Sequence, residues 1–435
     1  MKIAPRISLL IVGCSLVAAA TVGVSSYYMA SRELQDAAGS ELVALRESRH
    51  ATLTKYLQSI EQDLRIVASS RDVKDAIVDF TTAYYAISEP GRRTLKWIYD
   101  SKNQISAGNT ESTPDEPGIR AYARTHERYH KWFELIRKVR GYYDVFLFNL
   151  SGDLIYSVEK EPDFATNLLT GEWRRTGLGR VVRGALNANP SRNWMFSDFK
   201  PYAPSKGAPA SFVSTPVREA GKTIGVLAFQ MPIGEINEIM HVTAGMGETG
   251  ETYLVGADYL MRTDSRFKQV STILKQTVST SSVTNGIANH NGLQVIDDYR
   301  GVPVMSAYQP VDFRSTRWVI LSEMDVAEVS KSVDSMRDTM LIYGLLAASL
   351  VAMAGLVMAN RLTVPLKRLS EVFHTFGTTR SVEDMPYLDR RDEIGDMARD
   401  FDVVVNDIGT YIAEREKAEA ELAEKEAHLR LALDN

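Results

Sequence analysis

Two long uncharged segments divide the chain. The first runs from Ile7 to Ala30 and the second from Thr339 to Asn360, which are 24 and 22 residues without Asp, Glu, Lys or Arg. A helix of about 20 apolar residues crosses the hydrocarbon core of a bilayer. Basic residues precede the first segment and follow the second, and this distribution places both ends of the chain in the cytoplasm. The pattern predicts transmembrane helices at 7–30 and 339–360, with residues 31–338 outside the cytoplasm.

The first segment has a second interpretation. Lys2 and Arg6 also fit the basic start of a cleaved signal peptide, with the small residues Ala18–Ala20 at the cleavage site. The apolar stretch continues past these alanines to Tyr27 and Tyr28, and aromatic side chains suit a membrane interface. We therefore favour a membrane anchor and keep the cleaved signal as the alternative.

The region between the two segments changes from helical to strand periodicity. Apolar residues from Leu53 to Val67 alternate spacings of four and three, which predicts a long helix over 31–69 with one apolar stripe. Further helices are predicted over 72–86 and 119–139, with an exposed loop at 101–117. Strands are predicted in two sets, at 143–149, 153–158, 194–202, 210–218 and 223–231, and at 251–256, 259–262, 292–299, 301–309 and 318–324. Short helices are predicted at 177–187 and 234–242.

Each set has two strands, an insertion and then three strands. That order is typical of a PAS-like module, an antiparallel sheet with helices over one face. The predicted fold is therefore α+β, with a distal module at about 119–243 and a proximal module at about 244–330.

Composition excludes several classes of protein. The net charge of −5 argues against a general nucleic-acid binder, which usually carries a basic surface. The one cysteine cannot form an intramolecular disulfide or a cysteine-rich zinc site. We expect no cofactor and no nucleic-acid partner.

Two short motifs match functional patterns in spacing only. His126-Glu127-Arg128-Tyr129-His130 fits H-E-x-x-H, which on a helix offers two imidazoles to zinc and a glutamate as general base. No later zinc-protease pattern follows, so we interpret the segment as a solvated, charged helix face. Gly245–Gly250 fits G-x-G-x-x-G but lies between a helix and a strand, the reverse of a dinucleotide site, and we interpret it as a flexible turn between modules. No catalytic or metal-binding residues are predicted.

A family resemblance covers most of residues 35–335. The segments that carry it are Gly141–Phe148, Gly152–Val158, Lys160-Glu161, Asp163–Leu168, Asp198–Ser205 and Gly247–Gly256. Together with the long first helix they resemble the double Cache sensor domains of bacterial receptors. The resemblance implies that a small ligand binds in the distal module, between the sheet and its covering loops.

Candidate ligand-binding residues follow from that location. Carboxylates that can meet an ammonium group are Asp144, Asp163 and Asp198, and Arg174 offers a guanidinium to a carboxylate. Aromatic residues that can line a pocket are Trp132, Tyr143, Phe146, Tyr156 and Trp173. Tyr129, Trp132 and Arg137 precede the sheet, but their spacing does not match the amino-acid-sensing branch of the family. No amino-acid specificity is carried over, and the expected ligand is an amino acid, organic acid, amine or similar molecule.

A second resemblance follows the second uncharged segment. Apolar residues from Leu362 to Phe376 alternate spacings of four and three, a break at 377–379 follows, and a second stripe runs from Ile394 to Tyr411. Pro365 near the start of the first helix and Asp392-Glu393-Ile394-Gly395 at the start of the second resemble a HAMP domain over 361–413. Signalling residues by this resemblance are Pro365, Asp392, Glu393 and Gly395. Two such helices bury both stripes in a parallel homodimer.

The remaining residues, 414–435, are rich in Glu, Lys and Ala and predict a coiled-coil linker to a missing or truncated output module, such as a PAS module. The whole chain resembles the sensor half of a histidine kinase, nucleotide or diguanylate cyclase, or chemoreceptor in a bacterial inner membrane. The expected function is a transmembrane receptor that relays ligand binding to a cytoplasmic effector, in cis or in trans. The alternatives are a dimeric membrane adaptor without a ligand and a membrane-anchored zinc hydrolase that uses His126, Glu127 and His130.

Overall fold

The computed structural model describes residues 3–99, 116–189, 194–379, 382 and 384–433. They divide into two units, one from Glu33 to Lys331 and one formed by the residues before and after it. Most of the loop predicted at 101–117 lies outside the described residues.

Helices come first along the chain. Helix α1 (Ile3–Ser69) is continuous, so the first uncharged segment and the predicted helix over 31–69 form one element. It is followed by α2 (Arg71–Tyr85), α3 (Glu89–Tyr99) and α4 (Pro117–Arg140). Leu53, Leu57, Ile60 and Leu64 of α1 are at most 2% exposed, which confirms that the predicted stripe faces the core.

Helix α3 is absent from the elements that the periodicity predicts. Its first turn contains Pro90 and Gly91. Proline is compatible with this position because the N–H groups of a first helical turn have no partner inside the helix.

The distal module contains a five-stranded antiparallel sheet in the order β2-β1-β5-β4-β3. Its elements are β1 (Asp144–Phe148), β2 (Leu154–Ser157), a 3-10 helix (Glu172–Arg175), α5 (Gly177–Leu186), β3 (Met195–Tyr202), β4 (Ala208–Glu219), β5 (Lys222–Gln230) and α6 (Ile233–His241). Alternate residues of β1 enter two different cores, since Phe146 and Phe148 pack with α5 whereas Val145 and Leu147 pack with α2 and α4. Two strands, a helical insertion and then three strands follow one another along the chain, as the sequence predicts for a PAS-like module.

The proximal module has four antiparallel strands in the order β6-β9-β8-β7. They are β6 (Glu251–Gly256), β7 (Gly292–Asp297), β8 (Pro303–Phe313) and β9 (Thr316–Asp325), with α7 (Ser281–Ile287) between β6 and β7. The strand predicted at 259–262 is wrong. Only isolated bridges form there, because Tyr259 turns the chain at a φ of 62° and Leu260 and Met261 pair with different segments.

The second unit contains the remaining helices. Helix α8 (Val326–Met358) passes through a π-helical turn (Ala359–Thr363) into α9 (Val364–Thr379), and α10 (Glu393–Leu433) follows. The break predicted at 377–379 is wrong, because α9 continues to Thr379. The hydroxyl groups of Thr375 and Thr379 bond to carbonyl groups one turn earlier, and a side chain at Gly377 would contact nothing.

Within the described ranges, one helical stretch is long and apolar enough to cross a membrane, and it runs from Val326 to Thr379. This stretch contains the predicted span at 339–360. The span predicted at 7–30 lies inside α1 and stays a prediction.

Candidate functional site

A group of buried polar side chains lies at one corner of the distal sheet. We call it the distal polar cluster, and its members are His126, His130, Asp144, Tyr156, Lys160, Asp163 and Tyr202. Strands β1, β2 and β3, helix α4 and the segment after β2 supply them. Five of the members are at most 2% exposed, namely His126, Asp144, Tyr156, Asp163 and Tyr202. The cluster includes three of the sequence-predicted site residues, Asp144, Tyr156 and Asp163.

Asp144 anchors the segment that follows β2. Its Oδ1 accepts backbone N–H groups from Val145 at 2.7 Å, Val158 at 2.8 Å and Glu159 at 3.1 Å. Its Oδ2 is buried without a hydrogen-bond partner among the described residues. Burial, and then the nearby Asp163 carboxylate, raise the pKa of Asp144 well above its usual value. One oxygen therefore has a structural role, and the other is a buried polar atom without a partner among the described residues.

Asp163 has a second buried oxygen without a hydrogen-bond partner among the described residues. Its Oδ2 accepts the Tyr202 hydroxyl at 2.6 Å, whereas its Oδ1 is buried and has no partner in the described part of the chain. Burial raises the pKa of Asp163 to about 6, although the hydrogen bond from Tyr202 opposes that shift. An unpaired buried acceptor is costly, so a donor on a ligand would gain more here than at an exposed carboxylate.

Lys160 brings a buried cation to the same corner. It has a φ of 51° and is 7% exposed. Its ammonium group donates to the carbonyl oxygens of Ser157 at 2.9 Å and Val158 at 3.3 Å and lies 5.0 Å from the centre of the Tyr156 ring. Burial lowers the pKa of Lys160 to about 7, against the opposing effect of Asp144. The cluster thus combines acidic and basic groups within one buried region.

The two histidines of the H-E-x-x-H motif border this cluster. Their rings are stacked with centroids 4.3 Å apart, and His130 Nδ1 lies 2.8 Å from the Tyr156 hydroxyl. Burial and then Lys160 lower the pKa of both, that of His130 to about 4. His126 is only 2% exposed, so the prediction of a solvated helix face is wrong.

The side chains of the motif have different surroundings. Glu127 is exposed, whereas His126 points into the core. No group of three or more potential metal ligands is present among the residues that the structure describes.

The other predicted ligand-binding residues lie outside the cluster's hydrogen-bond network. Phe146 is fully buried in the core beneath α5, and Trp132 is half-buried against Phe133. Tyr143 is 43% exposed, and its hydroxyl donates to Glu161. Arg174 is exposed and donates to the Gly171 carbonyl.

Trp173 and Asp198 have different surroundings. Trp173 is half-buried in the 3-10 helix, with its indole Nε1 unpartnered in the described structure. The Asp198 carboxylate is occupied, because Arg262 binds both of its oxygens at 2.8–3.2 Å and Trp318 Nε1 donates to it at 2.9 Å. Asp198 therefore joins the two modules.

Lys160, Tyr202 and the two histidines are the members that the sequence prediction missed. Their burial depends on how α4 and the segment after β2 pack on the sheet. No local sequence signal shows that packing.

The predicted turn at 245–250 is present and well anchored. Gly245 and Gly247 have φ angles of 78° and 57°. The Glu328 carboxylate accepts the backbone N–H groups of Glu248 and Thr249, each at 2.8 Å. Strand β6 follows the turn, so the order helix, glycines, strand is the reverse of a dinucleotide site, as predicted.

The predicted HAMP residues meet around the start of α10. Asp392 Oδ1 accepts the Gly395 N–H at 3.2 Å, and Arg390 binds the same carboxylate and lowers the pKa of Asp392 to about 2. A Cβ atom at Gly395 would lie 2.1 Å from the Arg390 carbonyl oxygen, which explains why glycine occupies this position. Glu393 begins the helix, and Pro365 is buried in the first turn of α9.

A small core joins the two HAMP helices through their connector. Its buried members are Leu369, Met385, Ile394 and Ala398. Met385 comes from the connector and packs with residues of both helices, as the extended connector of the predicted hairpin requires.

Comparison with known proteins identifies two families. Cache domains match residues 30–333, and HAMP domains match residues 357–409. The curated protein "Probable chemoreceptor y4sI" of Sinorhizobium fredii (strain NBRC 101917 / NGR234) is 22% identical over 355 residues, which are 81% of this chain and 44% of that protein. The chain thus spans less than half the length of this curated relative.

Solved structures of sensor domains resemble this chain less strongly than the two family models do. The ligand-binding domain of the Pseudomonas aeruginosa PAO1 amino acid chemoreceptor PctC, in complex with GABA, is 20% identical, with a TM-score of 0.32 over 62% of this chain and 99% of that one. The sensor domain of the V. cholerae histidine kinase DctB is 13% identical, with a TM-score of 0.36 over 69% of this chain and 99% of that one. Because these TM-scores are low, the assignment depends on the family matches. The chain belongs to the Cache domain family and carries a HAMP domain in the same polypeptide.

Proposed function

We propose that this chain is the sensory and relay part of a transmembrane signalling receptor. The observation that carries the proposal is the order of its parts, a Cache domain, an apolar helix long enough to cross a membrane and a HAMP domain. Helix α8 begins directly after the last strand of the sensor and continues as one helical stretch to Thr379. A displacement of that strand therefore has an uninterrupted helical route to the HAMP domain.

The proposed topology has two spans, at 7–30 and 339–360. The charge distribution supports it, because basic residues flank the cytoplasmic side of each segment. In this arrangement the Cache domain lies outside a bacterial inner membrane, and both termini lie in the cytoplasm.

We propose the distal polar cluster as the ligand site. Asp144 Oδ2 and Asp163 Oδ1 are buried carboxyl oxygens without a partner in the described part of the chain, and an ammonium group on a ligand would supply donors to both and stabilise their ionised form. Lys160 and His126 are nearby donors for a ligand oxygen. A small amine or amino acid fits this combination of charges better than a neutral ligand does.

A homodimer accounts for apolar residues left exposed in the HAMP helices. Leu366 of α9 and Met397, Val404 and Ile408 of α10 are 38–45% exposed although they belong to the predicted stripes. A parallel partner would cover them in a four-helix arrangement. The output then belongs to an effector module, in cis or in trans, and this chain itself acts without catalysis.

The test is a thermal-unfolding screen of the full chain in lipid nanodiscs against amines, amino acids, organic acids and purines. A ligand at 100 times its dissociation constant stabilises the folded state by about 2.7 kcal/mol. We expect a saturable shift with an ammonium compound, which Asp163→Asn abolishes because the amide cannot offer a negative charge. Asp297→Asn, at an exposed position of β7, is the matched control.

Two outcomes would count against the proposal. Binding that Asp163→Asn leaves unchanged would place the ligand elsewhere. The absence of any saturable shift across the screen would favour the membrane adaptor.

A further inference from the structure

The first half of strand β3 contacts the proximal module. The strand lies at the edge of the distal sheet, where, in the described part of the chain, only β4 pairs with it. The ring centre of Phe196 lies 4.8 Å from that of Phe313 in β8. Two residues further along β3, the carboxylate of Asp198 accepts hydrogen bonds from Arg262 and from Trp318 of β9. This half of β3 is therefore bonded to the proximal module.

The other end of β3 reaches the distal polar cluster. Tyr202 is the last residue of the strand, and its hydroxyl donates to Asp163 at 2.6 Å. Both residues are at most 2% exposed, so water has little access to this bond. Four residues of the same strand, roughly 13 Å of extended chain, separate Tyr202 from Asp198. Strand β3 therefore connects the proposed ligand site with the contact between the two modules.

Strand β3 carries one extra residue between these two ends. It takes three steps from Ser197 to Lys200, whereas the paired segment of β4 takes two, from Phe212 to Ala210. Such a β-bulge interrupts the hydrogen-bond ladder and bends the strand locally. The bulge contains Asp198, the residue that is bonded to the proximal module.

The bulge directs two consecutive side chains to the same tryptophan. Asp198 Oδ1 accepts the indole N–H of Trp318 at 2.9 Å, and the ring centres of Phe199 and Trp318 lie 6.1 Å apart. In a regular strand, consecutive side chains point to opposite faces of the sheet. Trp318 is fully buried and belongs to β9, the strand that leads directly into α8. A change in the bulge would therefore act on the strand that precedes α8.

We propose that β3 transmits the state of the distal polar cluster to the proximal module, and that its bulge is the segment that changes position. This inference rests on the proposed function, because a ligand at Asp163 acts on the bond between Asp163 and Tyr202. The ligand shifts the position of β3 only if it binds one arrangement of that bond more tightly than the other. Asp198 and Arg262 are positioning residues, since they act on Trp318 and β9 without contact with the ligand.

The test changes the Tyr202 end of β3 and observes Trp318, with no ligand present. The full chain in lipid nanodiscs is labelled with 5-fluorotryptophan, and phenylalanine variants of the other four of its five tryptophans identify the Trp318 resonance by elimination. We expect Tyr202→Phe to move this resonance by at least its own linewidth. Asp163→Asn changes the same bond from the other side and should move it as well. The other four resonances show whether each variant is folded, so either variant suffices if the other does not fold.

Tyr142→Phe is the matched control. Tyr142 is 3% exposed and its hydroxyl donates to Asp63 at 2.7 Å, so this variant removes a tyrosine–aspartate bond of the same kind that involves no residue of β3. We expect the Trp318 resonance to keep its position. A resonance that stays in place in folded Tyr202→Phe or Asp163→Asn, or that moves equally in Tyr142→Phe, would overturn the proposal. Because no ligand is added, this result is independent of whether a ligand binds the distal polar cluster.

Discussion

The two sheets of the sensor place acidic residues at the same corner and use them differently. In the distal sheet, Asp144 begins β1 and lies opposite Gln230 of β5. In the proximal sheet, Glu251 begins β6 and lies opposite Glu323 of β9. All four residues are at most 2% exposed. Two related modules therefore bury a polar pair at corresponding positions.

Side-chain hydroxyl groups bind the carboxylates of the proximal pair. The two oxygens of Glu251 accept hydroxyl groups from Tyr299 at 2.7 Å and Ser265 at 3.0 Å, and Glu323 Oε2 accepts the Tyr253 hydroxyl at 2.7 Å. Burial raises the pKa of Glu323 to about 7, so a large fraction is protonated at neutral pH and needs no cation. In the described part of the chain, Glu323 Oε1 has no hydrogen-bond partner, and in the distal corner Asp144 Oδ2 and Asp163 Oδ1 have none. The distal corner thus differs in having a second carboxylate, that of Asp163, beside the strand pair and a buried lysine, Lys160.

The proximal module is also bonded to the helix that leaves the sensor. Glu328 in the first turn of α8 holds the turn at 245–250, and Arg300 binds Asp325 at the end of β9 at 2.7 Å. The two modules therefore have different proposed roles. The distal corner is the proposed ligand site, and the proximal module uses its polar groups to hold the start of α8.

The largest expected effect concerns the bond between the two modules. Arg262 is 3% exposed and pairs with Asp198 of β3, so Arg262→Gln leaves a partly buried carboxylate without its cation. Removal of one member of a buried pair typically costs about 4 kcal/mol. We expect a clear fall in the thermal-unfolding midpoint of the full chain, with Arg93→Gln as control. Equal midpoints for the two variants would mean that the modules are held together by other contacts.

The next largest effect is a pH dependence of the free energy of unfolding, which comes from the proximal corner. The folded-state pKa of Glu323 is raised from 4.5 to about 7, so the folded protein binds this proton more tightly than the unfolded chain. That contribution to stability is complete below about pH 4.5 and is lost as the pH rises through about 7. Glu323→Gln should therefore be more stable than the wild type at pH 8, by on the order of 3 kcal/mol, with a difference that shrinks toward pH 5.

Unfolding midpoints measured from pH 5 to pH 8 check this prediction. Glu238→Gln, at an exposed position of α6, should follow the wild type throughout. If the unfolding midpoints of Glu323→Gln and the wild type differed by the same amount over this whole range, Glu323 would not hold a buried proton. Asp163 also has a raised pKa, but it is present in both proteins and does not affect the difference.

The smallest expected effect tests whether the Glu328 carboxylate holds the turn at 245–250 against the start of α8. Glu328→Gln keeps the shape of the side chain but weakens its bonds to the Glu248 and Thr249 amides, by about 1 kcal/mol. Amide hydrogen exchange at these two residues should become several-fold faster, and Glu238→Gln should leave it unchanged. Exchange that is equally slow in Glu328→Gln would show that α8 is held without this carboxylate.

The succession of strands along the chain and the apolar stripe of α1 could be predicted from the sequence because they depend on local periodicity. The order in which the strands pair in space depends on contacts between distant segments and was not predicted. Only part of the candidate site could be predicted from the sequence. Asp144 and Asp163 follow from the family resemblance, but Lys160 is buried by a backbone conformation with positive φ that a lysine rarely adopts.

Two further errors have a similar cause. Asp198 is a carboxylate in a segment that carries the family resemblance, so the sequence predicts it as a ligand-binding residue. In the structure it binds Arg262, which is 64 residues away. The helix face that contains His126 reads as polar, yet that histidine stacks on His130 inside the core. Contacts between distant segments decide both cases.

Hydrogen exchange of the full chain in nanodiscs tests the central claim most directly. It is measured with and without the ammonium compound that gives the largest saturable thermal shift, in the wild type and in Asp163→Asn. We predict slower exchange in residues 158–168 together with altered exchange in the HAMP core around Met385 and Ile394, and neither change in Asp163→Asn. Slower exchange confined to the unit Glu33–Lys331, with an unchanged HAMP domain, would contradict a relay of ligand binding through α8.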